Sequence, residues 1–217
     1  NQDYVNKVME KYDSLIMYPL INEWIKLPVI CFHPKSKIII FSIEIIYISM
    51  IQSSNWGVSL IDEQLLNKVS DRLKTLKLSI ATAESCTGGL LAHSLTNVSG
   101  SSDYFDRGII SYSNQAKQEL LDVTEKMLQE YGAVSKQTAK AMAIGIKEKS
   151  KVDIGISTTG IAGPTGGTKE KPVGLVYIGI ADSKNVFVKK FLFSGNRLQN
   201  KESTCNVALE MLYDNLK

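Results

Sequence analysis

Histidine, cysteine and clustered positive charge are scarce in this chain, and each scarcity narrows what it can do. Only two histidines occur, His33 and His93. That disfavours a histidine-based metal centre and a Ser-His-Asp triad. The three cysteines, Cys31, Cys86 and Cys205, are odd in number and show no paired spacing. They suit neither a disulfide framework nor a structural zinc site, and a reducing, cytoplasmic setting is expected. No HExxH or CxxC pattern occurs. Lysine and arginine are dispersed, the formal net charge is only +3, and no basic stripe is interleaved with aromatics. Nucleic acid is therefore not expected as a partner.

A long apolar run is missing too. The strongest, IIIFSIEIIYISMI at residues 38–51, is about 14 residues long with Glu44 in its middle. A membrane span wants roughly 20 apolar residues. The β-branched and aromatic content of the run reads instead as one or two buried strands. No membrane association is expected. The first residues are polar and mixed in charge, so no secretory signal is expected either.

What is present suffices for an ordinary globular fold, with 217 residues of which 44% are hydrophobic. Composition shifts near QSSNWG, at residues 52–57. Glycine is absent before Gly57 and frequent after it. Two segments follow, a 1–56 extension and a 57–217 domain. The extension reads as a helix over 3–17, a break at Pro19, an irregular piece around Trp24, and then the apolar strands. Its role is open between packing, oligomerisation and the remnant of another domain.

The later segment is more regular. Ile61, Leu65, Leu66, Val69, Leu73 and Leu76 form a helical stripe that starts near Asp62 or Ser59. Strands are expected over 78–83, 107–112 and 152–159, and a hairpin over 173–181 and 186–193. Helices are expected over 87–96, 114–121, 135–149 (with Ser135 as N-cap) and 199–216. Strands alternating with helices predict an α/β fold: a three-layer α/β/α arrangement around a mixed, mostly parallel sheet. Ligands in such sheets sit at the carboxyl ends of the strands.

Three loops at those ends are rich in small polar residues: 84–89, 112–117 and 158–167. The first belongs to ATAESCTGG. Ser85 there would stand between a strand end and a helix start, near free backbone N–H groups and the positive end of a helix dipole. That setting suits a nucleophile and a developing oxyanion. A serine before a helix is also an ordinary cap, and a glycine pair an ordinary turn. Cys86 is the rival nucleophile, since a helix start lowers a thiol pKa. His93 lies too far along the same helix to serve it, so Cys86 reads as a small buried residue. With histidine scarce, YSNQAK offers the remaining bases, Tyr112 and Lys117. A partly buried lysine can lose its proton near neutral pH. The plainer readings are a surface lysine and a core tyrosine. GIAGPTGGTKEKP fails the phosphate-loop pattern, because Thr168 stands where that pattern has glycine. Arg197, after FSGN, could pair with a phosphate or be a surface residue.

Taken together, TAESCTGGLLAHSLTNVSGSSDYFDRGIISYSNQAKQELLDV, YGAVSKQTAKAMAIG, TTGIAGPTGGTKEKPVGLVYIGIA and FSGNR resemble the C-terminal domain of the CinA (competence/damage-inducible) proteins. The likeness runs from about residue 61 to 216 and does not cover the extension. It implies a cytoplasmic amidohydrolase that converts nicotinamide mononucleotide and water to nicotinate mononucleotide and ammonia. By position it implies Ser85 as nucleophile with Tyr112 and Lys117 as its base pair, Lys117 keeping the phenol ready to take a proton. Glu84, Thr87, Gly88, Gly89, Asn114, Thr159, Gly160 and Arg197 fall around the substrate, with Glu84 also fixing the loop. No metal or organic cofactor is implied, and the chain is expected to form a homo-oligomer. The alternative is a CinA-like module that keeps the pocket but only binds a nucleotide or a partner, linked to competence or DNA damage.

Overall fold

The computed structural model describes residues 61–217, together with the backbone of two short strands nearer the N-terminus. The chain divides into two units, 1–58 and 59–217. In the first, β1 (Val29–Phe32) and β2 (Ile38–Phe41) pair antiparallel, with Val29 opposite Phe41. Thus the apolar run opens with a strand. The helix expected over 3–17, the Pro19 break, the Trp24 piece and residues 42–51 lie outside the described residues.

The second unit runs α1 (Glu63–Leu76), β3 (Ile80–Glu84), α2 (Leu90–Thr96), a 3-10 turn (Ser101–Asp103), β4 (Phe105–Ile110), α3 (Asn114–Leu121), α4 (Glu125–Tyr131), α5 (Lys136–Ser150), β5 (Ile154–Gly160), β6 (Leu175–Ala181), β7 (Val186–Leu192) and α6 (Arg197–Asn215). Its sheet has the order β4-β3-β5-β6-β7. The strands β4, β3 and β5 are parallel neighbours, and β6 is antiparallel to both β5 and β7. The sheet is therefore mixed, as expected, with two parallel and two antiparallel pairings rather than a mostly parallel set, although four of the five strands point one way.

Strand periodicity splits the core into two layers. On one face Ile80, Ile154, Ile156, Val176, Ile178 and Ile180 meet Val69 and Leu73 of α1, Leu91 and Leu95 of α2, and Leu209 and Leu212 of α6. On the other, Ala81 and Ala83 meet Leu121, Leu128, Met142 and Ile146 of α3, α4 and α5. Small residues on this second face let α5 lie close to the sheet. A Cβ at Gly155 would stand 2.2 Å from the Ala143 carbonyl oxygen. Each fully buried leucine or isoleucine contributes about 1.5–3 kcal/mol, so both layers are needed to hold the sheet edge that carries the loops.

Caps define the helix starts. Asp62 accepts from the Leu65 amide, Ser135 from Thr138, and Asn196 closes a capping box with Gln199. The strands lie within two residues of their expected bounds, with β3, β5 and β6 starting two residues later and β4 two residues earlier than the sequence reading, and two helix starts differ as well. The first is α2, which begins at Leu90 rather than residue 87, because the Ser85–Gly89 backbone turns before it coils. The second is α6, which begins at Arg197 because Asn196 caps it. Helix α4 has no counterpart in that reading. It buries only Leu128, so it shows no apolar period, although Thr124 caps it and Gly132 ends it.

Candidate active site

Because β4, β3 and β5 are parallel neighbours, the loops that follow them rise at one edge of the sheet. There the strand period separates two adjacent residues of ESCTGG. Glu84 sits on the face of Ile80, and Ser85 on the face of Ala81 and Ala83. The Ser85 amide donates to the Thr158 carbonyl at 2.9 Å, which extends the β3–β5 ladder one step beyond the strand. Its hydroxyl then faces α3.

Lys117 comes up from that helix, whose start is capped by Ser113. Its side chain is 1% exposed. The Nζ donates to the Ser111 carbonyl at 2.7 Å, to Ser85 Oγ at 3.1 Å and to the Tyr112 carbonyl at 3.3 Å. All three partners are neutral oxygens. Burial lowers the Lys117 pKa to about 8, because an ammonium loses water there without gaining a carboxylate. An amine poised near neutrality against a serine hydroxyl is the arrangement a general base needs.

The expected Lys117–Tyr112 phenol pair is not what the structure holds. Lys117 reaches the tyrosine's carbonyl. The Tyr112 hydroxyl instead accepts from Arg197 Nη2 at 3.1 Å, and the Tyr112 side chain is largely exposed. Arg197 Nη1 donates to the Gly163 carbonyl at 2.8 Å. Sequence reasoning could name the three residue types but not which atom of Tyr112 faced the amine.

A cleft of about 220 Å³ opens over these groups. Ser85, Tyr112, Lys117, Thr159, Gly160 and Arg197 line it, and so do Cys86, Ala133, Val134 and Ala162. Six of the eleven residues nominated from the sequence thus meet in one cleft. The other five, Glu84, Thr87, Gly88, Gly89 and Asn114, are not among its lining residues. Asn114 is exposed on α3. Glu84 and Thr87 are buried beneath the loop. Larger surface clefts occur, one of about 510 Å³ beside α1 and α2, but none of the nominated residues lines it.

The Glu84 carboxylate accepts from the Gly89, Leu91 and Ala92 amides at 2.9, 3.1 and 2.7 Å, from Thr87 Oγ1 at 2.6 Å and from Thr82 Oγ1 at 3.3 Å. The helix-start amides expected to hold an oxyanion are therefore engaged by Glu84 itself. Gly88 and Gly89 have φ of +63° and +96°, a region that favours glycine, and this bends the loop back over the carboxylate. Cys86 is buried, and burial pushes its thiol up to about 12. It is a poor thiolate source, in keeping with its reading as a small buried residue. His93, on α2, bonds Asn97 at the helix C-cap, and neither lines the cleft.

Ala133, Val134 and Ala162 were missed as site residues, since small apolar side chains carry no chemical signal. Thr159 Oγ1 donates to the Ala133 carbonyl at 2.8 Å and ties that wall to β5. Asn200, also missed, is buried and donates to the Ala162 carbonyl at 3.0 Å. With the Arg197–Gly163 bond, it anchors the glycine loop to α6. Among the described residues, no group of three or more His, Cys, Asp or Glu is placed to hold a metal, and no helix is long and apolar enough to cross a membrane.

Comparison with known proteins places this geometry. Residues 62–216 match the model of the CinA C-terminal domain. A relative from Caldicellulosiruptor bescii, named as a competence-damage inducible protein, is 56% identical over 153 residues, covering 70% of this chain and 37% of the relative. A CinA-like protein from Chloroherpeton thalassium is 52% identical over 155 residues, with the same coverage. The chain thus spans little more than a third of the length of these relatives. The crystal structure of a competence/damage inducible protein from Agrobacterium tumefaciens superposes with a TM-score of 0.70 at 40% identity, covering 75% of this chain and 98% of that one. The chain belongs to the CinA C-terminal domain family.

Proposed function

We propose that the 59–217 unit hydrolyses the carboxamide of nicotinamide mononucleotide to nicotinate mononucleotide and ammonia, with Ser85 as nucleophile and Lys117 as its base. The contact between Lys117 Nζ and Ser85 Oγ, 3.1 Å apart at the cleft, carries this reading. Neutral Lys117 takes the Ser85 proton as Oγ attacks the carboxamide carbon. The ammonium so formed lies beside the developing oxyanion and lowers its energy. It returns the proton to the departing nitrogen, and ammonia leaves an acyl-Ser85 ester. Water, deprotonated by the same amine, then releases the acid and restores the hydroxyl. Every proton moves between the substrate, water, Ser85 and Lys117, so the sequence closes without a cofactor. The shorter route replaces the phenol relay that the family likeness suggested.

The substrate class rests on that likeness, supported by Arg197 at the cleft, where its planar fork suits a phosphate. The same reading has the chain working as a homo-oligomer in the cytoplasm. Relatives named for competence and damage favour a second reading, a pocket that binds a nucleotide without turning it over. Ammonia release separates the two. The first reading expects release from nicotinamide mononucleotide, little from nicotinamide riboside or nicotinamide, and none after Ser85→Ala. Saturable binding of the nucleotide without ammonia would establish the second.

A further inference from the structure

We infer that Glu84 is the positioning residue that sets Ser85 against Lys117, acting as an internal cap supplied by the strand rather than by the helix. The inference rests on the nucleophile reading above and deepens it. Helix α2 has Gly89 at its N-cap, which offers no side-chain acceptor. Its Leu91 and Ala92 amides, the second and third helical positions, would normally be satisfied by that cap. Here both donate to Glu84, the last residue of β3. The carboxylate therefore spans the two ends of the loop that carries Ser85.

The clamp has a second arm. Thr87 Oγ1 lies 2.6 Å from Glu84 Oε2 and 2.7 Å from Thr158 Oγ1. Thr158 also receives the Ser85 amide through its carbonyl. Ser85 is thus held on one side by β5 and on the other by a turn whose far end is bonded to its own neighbour. A buried carboxylate is costly unless its acceptor sites are filled, and five donors fill this one. Two hydroxyls and three amides to a single side chain exceed what closing a seven-residue helix needs. What the extra bonds constrain is the turn, and the turn carries Oγ.

Alternation explains why the clamp leaves the cleft free. Glu84 and Ser85 are adjacent, so they point to opposite faces of the sheet. The carboxylate can grip the loop from beneath while the hydroxyl stays open to substrate. This also accounts for the order Glu-Ser, since a carboxylate at position 85 would lie beside Lys117 and pair with it.

Glu84→Gln and Thr87→Val test the inference in the 217-residue chain. Labelling of Ser85 by a fluorophosphonate reports the nucleophile without requiring the natural substrate. For Glu84→Gln, the amide presents donors to donors, so the turn shifts while the side-chain volume is kept. The expected result is a cooperatively folded protein with kcat and labelling rate lowered about 100-fold and KM within threefold, since small misplacements of reacting atoms carry costs of that order. Thr87→Val should lose about tenfold in the same two readouts. Folded variants that label at the wild-type rate, or whose loss falls on KM alone, overturn the inference and leave the nucleophile reading standing. If Glu84→Gln does not fold, Thr87→Val decides between the same two results. Wild-type chain that neither labels nor hydrolyses overturns the nucleophile reading and this inference with it.

Discussion

Replacing Lys117 with methionine separates the cost of a buried base from its use. In the folded chain the amine is 1% exposed and its pKa falls from 10.5 to about 8. That displacement corresponds to about 3 kcal/mol against the buried ammonium. The sign follows from proton counts. Between about pH 8 and 10.5 the unfolded chain holds a proton on Lys117 that the folded chain has lost, so wild-type stability rises with pH across that window. Below it the full penalty applies, and above it none remains. Lys117→Met removes the penalty at every pH. It also strips the Ser111 carbonyl of its 2.7 Å donor, which costs about 1–3 kcal/mol. At pH 7 the variant should therefore be as stable as wild type or up to about 2 kcal/mol more stable. Its advantage should shrink by about 3 kcal/mol by pH 10.5, whatever the offset. Urea unfolding followed by circular dichroism at a series of pH values measures this directly. Meanwhile ammonia release should drop about a thousandfold, as loss of a general base does. Wild-type kcat/KM should rise with pH through an apparent pKa near 8. Stability curves that run parallel for the two proteins from pH 7 to 10.5 would refute the reasoning, because Lys117 would then carry no penalty and be no near-neutral base.

Ser85→Ala should leave the unfolding midpoint nearly unchanged and abolish fluorophosphonate labelling, whereas Cys86→Ala, which removes a thiol held near 12, should keep most turnover; the opposite pattern would hand the role to sulfur. Tyr112→Phe should cost less than about tenfold in kcat, because its hydroxyl meets Arg197 rather than Lys117, and a loss matching Lys117→Met would reinstate the phenol relay. Arg197→Met should raise KM for the phosphorylated substrate and leave that for nicotinamide riboside alone; equal effects on both would detach Arg197 from the phosphate. Gly89→Ala forces φ of +96° on a side chain whose Cβ would meet Ile110 at 3.0 Å. It should destabilise by about 1–2 kcal/mol or more, read as a lower thermal midpoint. Residues 59–217 alone should fold and release ammonia, and an insoluble or inactive truncation would mean that the extension contributes to the fold or the site.

Local chemistry was legible in the sequence wherever the deciding interaction is short in range. Ser135 as a cap needs only the amide three residues on, and the stripe of α1 needs only a period of 3.6. The hairpin of β6 and β7 needs only two strands and a turn. Helix α4, with one buried residue, gave periodicity nothing to detect. The pool of site chemistry was legible too: a serine and a thiol at a strand end, a lysine without histidine competitors, and an arginine after FSGN. Tertiary structure decided which of these meet. The order β4-β3-β5 brings α3 beside β3, and only then does Lys117 Nζ fall on Ser85 Oγ, 32 residues away in the chain. Burial by that packing, not residue type, brings the amine near neutrality and takes Cys86 out of use. The phenol of Tyr112 went to Arg197, 85 residues distant, a partner that no spacing rule could supply. Glu84 shows both levels at once. Its place before Ser85 and its two-residue strand period are written in the sequence, while its five donors exist only after the loop has closed. Hydrogen bonds and desolvation depend on where atoms end up, and that is set by the packing of the two faces of the sheet.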